Sequence, residues 1–225
     1  MSARPEPLDR AEYVEQGYLF QLLRERIAED MALQELLERI RFELLSTTKL
    51  PLAVEYLLTE LKHSGLMTPA MRGLSHYFNA FQAYLIEESE RETGRFATVT
   101  ALQILEADAK YRAANASPQG IFIFQFECLC RNSLDYDKGL TAIADDPLYD
   151  QAWSQWILHL RAQLGLVDFA DLLFLASHEY RRLLEAEELS LEGKGRFLFG
   201  EKEGRIALGN RRREPLFWFS AMQRH

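Results

Sequence analysis

Glu60 and His63 stand three residues apart in a stretch of helical spacing, so both side chains share one face and could chelate one metal ion. A histidine meeting the negative end of a helix dipole accounts for the same pair, and no metal or other cofactor is expected. His178-Glu179 and Glu185-Ala186-Glu187-Glu188 offer groups for acid–base chemistry. No serine, cysteine or second histidine stands with them in a motif that would make a nucleophile constellation. The chain also lacks Gly-x-Ser-x-Gly, a Walker-type loop and a Rossmann fingerprint. The richest segment is Arg211-Arg212-Arg213 followed by Phe217-Trp218-Phe219. Guanidiniums pair in plane with carboxylates or phosphates, and aromatic side chains anchor in a partner's groove. These six residues are the expected partner-binding element. Docking of the same segment on its own body is the competing reading.

The Glu60-x-x-His63 spacing is similar to that of carboxylate-bridged di-iron four-helix bundles. That resemblance implies a metal-dependent helical-bundle enzyme, but such bundles carry two of these motifs and two further glutamates. No other histidine here has a glutamate three residues before it. Ala142, Ile143, Pro147, Ala152 and Trp153 resemble the junction between helices of a tetratricopeptide repeat over about a dozen residues. The resemblance implies helix pairs stacked into a curved solenoid. Positions about 34 residues to either side of Pro147, Ala113 and Arg181, do not repeat the pattern. Tyr77, Phe78, Phe81 and Tyr84 form an aromatic stripe that suits a helical core or, as a third reading, a module that captures a small apolar ligand.

Helices must position all of these groups. Leu19, Leu22, Leu23, Ile27, Leu33, Leu36, Leu37, Ile40 and Leu44 recur at threes and fours, with a break expected near Asp30 as a cap. Pro51 opens a helix that Gly65 closes in the left-handed conformation. Thr68-Pro69 predicts one long helix carrying Tyr77 to Leu85 and stopping at Thr93-Gly94, and a further helix runs from Val99 to about Ala114. Ile121 to Phe126 has strand-like composition, yet no convincing partner strand exists, so a buried helix is expected. Asp137 to Ala144 predicts a short helix. Asp146-Pro147 predicts the start of the next, which ends at Gly165. Asp168 predicts a last long helix, extending to about Glu188. Pro215 to Met222 predicts a terminal amphipathic stretch.

With 48% hydrophobic and 27% charged residues among 225, the chain falls with ordinary globular proteins rather than disordered ones. No apolar run approaches the ~20 residues of a membrane span. Met1 to Arg10 is polar and holds two prolines, without the apolar core of a signal peptide, and so reads as a cytoplasmic start. Cys128 and Cys130, one residue apart, are expected to stay reduced and packed. From Lys194 onward eight Lys/Arg face three Glu, whereas the rest of the chain holds 18 basic against 31 acidic residues. An acidic body argues against nucleic acid as a partner.

The expected architecture is therefore all-α, an irregular helical bundle or a short helix-pair solenoid. Residues 1–190 form the acidic helical domain, and 191–225 form a Gly-interrupted, basic, aromatic C-terminal extension. The expected function is that of a non-enzymatic cytoplasmic interaction or scaffold protein, binding a protein partner or a second copy through the extension.

Overall fold

The computed structural model describes residues 6–27, 31–91, 94–191 and 195–222. Among them are thirteen α-helices and no strand, so the fold is all-α. The only extended pairing among the described residues is two isolated bridges, Leu164 with Val167 and Ser177 with Phe199. No described helix is long and apolar enough to cross a membrane. The chain divides into two compact units. Unit 1 takes in everything up to Ala116 together with Asp145–Leu148, and unit 2 takes in Ser117–Ala144 and the chain from Tyr149 onward.

Unit 1 contains α1 (Arg10–Ile27), α2 (Leu33–Ile40), α3 (Leu50–Ser64), α4 (Thr68–Gly73), α5 (Ala80–Ser89) and α6 (Thr98–Ala113). The break between α1 and α2 falls near the expected place, although Asp30 itself lies outside the described residues, as does Thr93. α1 lies along α6, and the periodic Leu19, Phe20 and Leu23 are buried in the same core as Leu102, Leu105 and Ala109. Gly65 closes α3 with φ 77°, as its position predicts. The long helix expected from Thr68 is instead two. α4 ends at Gly73, and Asn79 opens α5 with a reciprocal capping box to Gln82. Thr68 is not a cap either, because its hydroxyl donates to Glu90 at 2.6 Å.

Two buried polar clusters order this unit. Glu12 accepts from the Tyr77 hydroxyl at 2.8 Å and from the Lys49 backbone N–H at 2.8 Å, where α3 begins. Gln16 donates to the Tyr77 carbonyl at 3.1 Å and accepts from Gln82 at 3.0 Å. In the second cluster Arg112 holds two carboxylates, Asp108 at 2.7 Å and Asp146 at 3.1 Å, with all three side chains at most 3% exposed. The Tyr13 ring lies 5.8 Å from that guanidinium.

Unit 2 contains α7 (Pro118–Arg131), α8 (Tyr136–Ala144), α9 (Gln151–Gln163), α10 (Phe169–Leu175), α11 (His178–Ala186), α12 (Glu201–Gly209) and α13 (Phe219–Met222). The ambiguous Ile121–Phe126 stretch is helical. Ser117 caps α7 by accepting from the Gly120 N–H, and Pro118 occupies its first turn. α9 starts later than Asp146-Pro147 predicts: Asp150 is the cap, accepting from the Trp153 N–H at 3.0 Å. Asp146 is committed to Arg112 instead. The helix expected to run unbroken from Asp168 divides at Ala176-Ser177. There Ser177 caps α11, and the Ala176 carbonyl accepts from the N–H groups of Leu198 and Phe199.

The core of unit 2 is aromatic. Phe122 packs against Trp153, Trp156 and Phe199, while Phe126 packs against Phe169 and Phe219, with ring centroids 4.6–6.1 Å apart. Within it the Tyr149 hydroxyl donates to Gln125 at 2.9 Å, a buried hydrogen bond. α12 packs on α10 and α11, and its Gly204 lies against the start of α11. A Cβ there would lie 2.2 Å from the Ser177 hydroxyl and 2.7 Å from the Glu179 Cβ, so the close approach requires glycine.

Candidate functional site

The Arg-aromatic segment emerges from α12 and is fastened to α10. Arg211 pairs with Asp171 at 2.5 Å, and its guanidinium lies 5.0 Å from the centre of the Phe174 ring. The next backbone N–H, of Arg212, donates to Asp168, which also caps α10 through the Ala170 N–H at 3.0 Å. Arg212 sits in the left-handed region with φ 60°, a conformation that a non-glycine residue adopts at a cost of about 1–2 kcal/mol. Among the described residues the Arg212 guanidinium has no ion-pair partner. Arg213 donates to the Asn210 side chain at 3.4 Å.

Pro215–Phe217 then form one turn of 3₁₀ helix, closed by the Trp218 N–H on the Pro215 carbonyl at 3.1 Å. The three aromatics that follow part ways. Trp218 is stacked on Phe169 at 5.4 Å and Phe219 lies edge-on to Phe126 at 5.8 Å, both buried within unit 2. Phe217, which directly precedes the two buried rings, is 76% exposed. The Trp218 indole N–H is buried and has no hydrogen-bond partner among the described residues. Hydrophobicity could not separate these three side chains. The signal that does so is the short turn from Pro215, which sends successive residues to different sides.

The other candidates are dispersed. Glu60 is partly buried and His63 exposed at the last turn of α3. No group of three or more His, Cys, Asp or Glu side chains gathers around a possible metal position among the described residues. Tyr77 and Phe81 are buried in unit 1, and hydrogen bonding consumes the Tyr77 hydroxyl. His178 lies beside the Phe197 ring at 6.0 Å. The neighbouring Glu179 is held by Arg182 at 2.7 Å, and that hydrogen bond keeps its carboxyl below the usual range. Glu185 pairs with Arg181 at 2.8 Å. Cys128 is buried, and burial pushes the Cys130 thiol up, away from thiolate character. Both are free.

These elements define an all-α protein of two compact units, with an Arg-aromatic turn on the surface of the second. Compared with known proteins, the chain matches no family model, no curated protein and no solved structure.

Proposed function

We propose that this is a non-enzymatic cytoplasmic interaction or scaffold protein whose contact element is the turn carrying Arg212, Arg213 and Phe217. One observation carries the reading: Phe217 is 76% exposed although Trp218 and Phe219, which follow it, are buried. Burying that ring in a partner's groove would recover most of the ~2 kcal/mol that an exposed aromatic forgoes. The backbone that carries it is already held in the Pro215–Phe217 turn, which lowers the ordering cost of docking. The exposed Arg212 and Arg213 earlier in the same turn suit a carboxylate-bearing protein surface, on a partner or on a second copy of this acidic chain. Packed cysteines that form no disulfide among the described residues fit a reducing compartment.

The test compares the wild-type chain with Phe217→Ser and Arg212→Glu, both confirmed folded by circular dichroism. Assembly is measured by native mass spectrometry, and partner capture by quantitative pull-down. The reading holds if both substitutions remove the same stoichiometric partner or the same self-assembly. Unchanged assembly and unchanged capture in both variants would end it.

A further inference from the structure

Within unit 2 a groove of about 160 Å³ opens between α9, α10 and the extended residues 195–196. Trp156 and His159 line one wall, one helical turn apart on α9. Leu172 and Leu175 supply the aliphatic side from α10, and Ala176, Gly195 and Arg196 complete the lining.

The walls are fixed in different ways. Phe122 packs edge-on against the Trp156 ring at 5.1 Å and Phe199 at 5.0 Å, which sets the indole plane. Arg196 is anchored through Nη1 on Asp150, whose other oxygen caps α9. The Arg196 side chain is nevertheless 64% exposed, and its remaining donors have no partner among the described residues. Although the chain holds 34 acidic residues, no carboxylate lines the groove among the described residues. The groove thus presents an aromatic and aliphatic surface beside one guanidinium and one imidazole.

We propose that this groove binds a small aromatic carboxylate. Its ring lies against Trp156, Leu172 and Leu175, and its carboxylate meets Arg196 and His159. The volume suits one ring, since a protein cavity of about 150 Å³ takes up benzene. The anionic group follows from the donors that Arg196 keeps beyond its ion pair with Asp150. A guanidinium held by one edge still offers donors in the plane that a carboxylate matches. The site is separate from the Arg212–Phe217 turn and carries an activity that the interaction reading does not include.

Phenylacetate is the probe. It is titrated into the full-length ¹⁵N-labelled protein while the Trp156 indole N–H signal, assigned with Trp156→Phe, is followed. The expected result is a saturable shift with a Kd of about 0.1–1 mM, in line with the modest affinity of a ligand of this size. The neutral isostere phenylacetamide is expected to bind at least about fivefold more weakly, and Arg196→Gln to weaken phenylacetate by about fivefold while leaving phenylacetamide unchanged. The proposal is overturned if no saturable shift occurs by about 10 mM, well past the expected Kd. Equal binding of acid and amide, or of wild type and Arg196→Gln, also overturns it.

Discussion

Arg112 grips Asp146 from the far end of α6, with Nη1 at 3.1 Å and Nη2 at 2.5 Å, while Asp108 occupies its other edge. This is how a four-residue piece of the chain, Asp145–Leu148, belongs to unit 1 although the helices on either side of it do not. Burial opposes the guanidinium's charge, and the two carboxylates outweigh it, so Arg112 titrates well above its ordinary value. Replacing Arg112 by methionine leaves two buried carboxylates without their counter-charge. The expected loss is about 3–5 kcal/mol, or roughly 6–20 °C in Tm for a chain of this length. Arg112→Lys recovers only part of it, because one ammonium cannot fork onto two carboxylates. Thermal melts of the two variants check both statements.

Gly204 and Gly209 make a matched pair on α12. A methyl group at Gly204 collides with Ser177 and Glu179, whereas one at Gly209 meets nothing within 4 Å. Gly204→Ala is therefore expected to destabilise unit 2 by about 1–3 kcal/mol through overpacking. Gly209→Ala, at the end of the same helix and with no positive φ, is expected to be neutral or to stabilise by up to about 1 kcal/mol. Urea denaturation of both variants measures the difference. Equal effects would mean that α12 is not seated on α11 as described.

What the sequence reveals and what it hides follow a physical division. Gly65 and Gly165 were legible as helix stops, and both have positive φ, because that conformation is a local property. Asp168 was legible as a start for the same reason. Asp146 and Thr68 were misleading. Each has the right type for a cap, but a distant residue, Arg112 or Glu90, claims its side chain. Ser177 was silent, since the break it makes depends on the chain at Phe199. The helical nature of Ile121–Phe126 could be argued from the absence of a partner strand, although its composition pointed the other way. Within the Arg-aromatic segment, composition marked Phe217, Trp218 and Phe219 alike, and only packing separates the exposed ring from the two buried ones. The groove beside Trp156 needed Arg196, a residue 40 positions away in the chain, and no pattern in the sequence joins them.

Glu106 supplies a pH-dependent contribution to unit 1. Burial raises its pKa, but hydrogen bonds from Lys110 at 2.6 Å and Arg24 at 2.9 Å outweigh burial, so the folded value is lowered. A depressed carboxyl stabilises the fold above its unfolded pKa, near the ordinary 4.5, and that stability is lost as pH falls through the lower folded value. The melting temperature is therefore expected to fall more steeply with acid in wild type than in Glu106→Gln over this range. At neutral pH the variant is expected to melt lower than wild type, and the two curves converge as the carboxylate protonates. Parallel curves across the acid range would show that Glu106 contributes nothing by this route.

Trp218 and Phe217 are neighbours with opposite expected consequences. Trp218→Ala empties a site packed by Phe169 at 5.4 Å and Phe219 at 5.7 Å. The expected cost is about 3–5 kcal/mol, lessened by releasing an indole N–H that is buried without a partner among the described residues. Any loss of binding in that variant reports the fold of unit 2 rather than a contact. Phe217→Ala removes a 76% exposed ring and is expected to change stability by no more than about 0.5 kcal/mol. The contact reading therefore rests on the second variant. If Phe217→Ala melts like wild type and loses assembly or partner capture, the exposed ring is the anchor. If it melts like wild type and loses neither, the surface turn has no such role, whatever Trp218→Ala does.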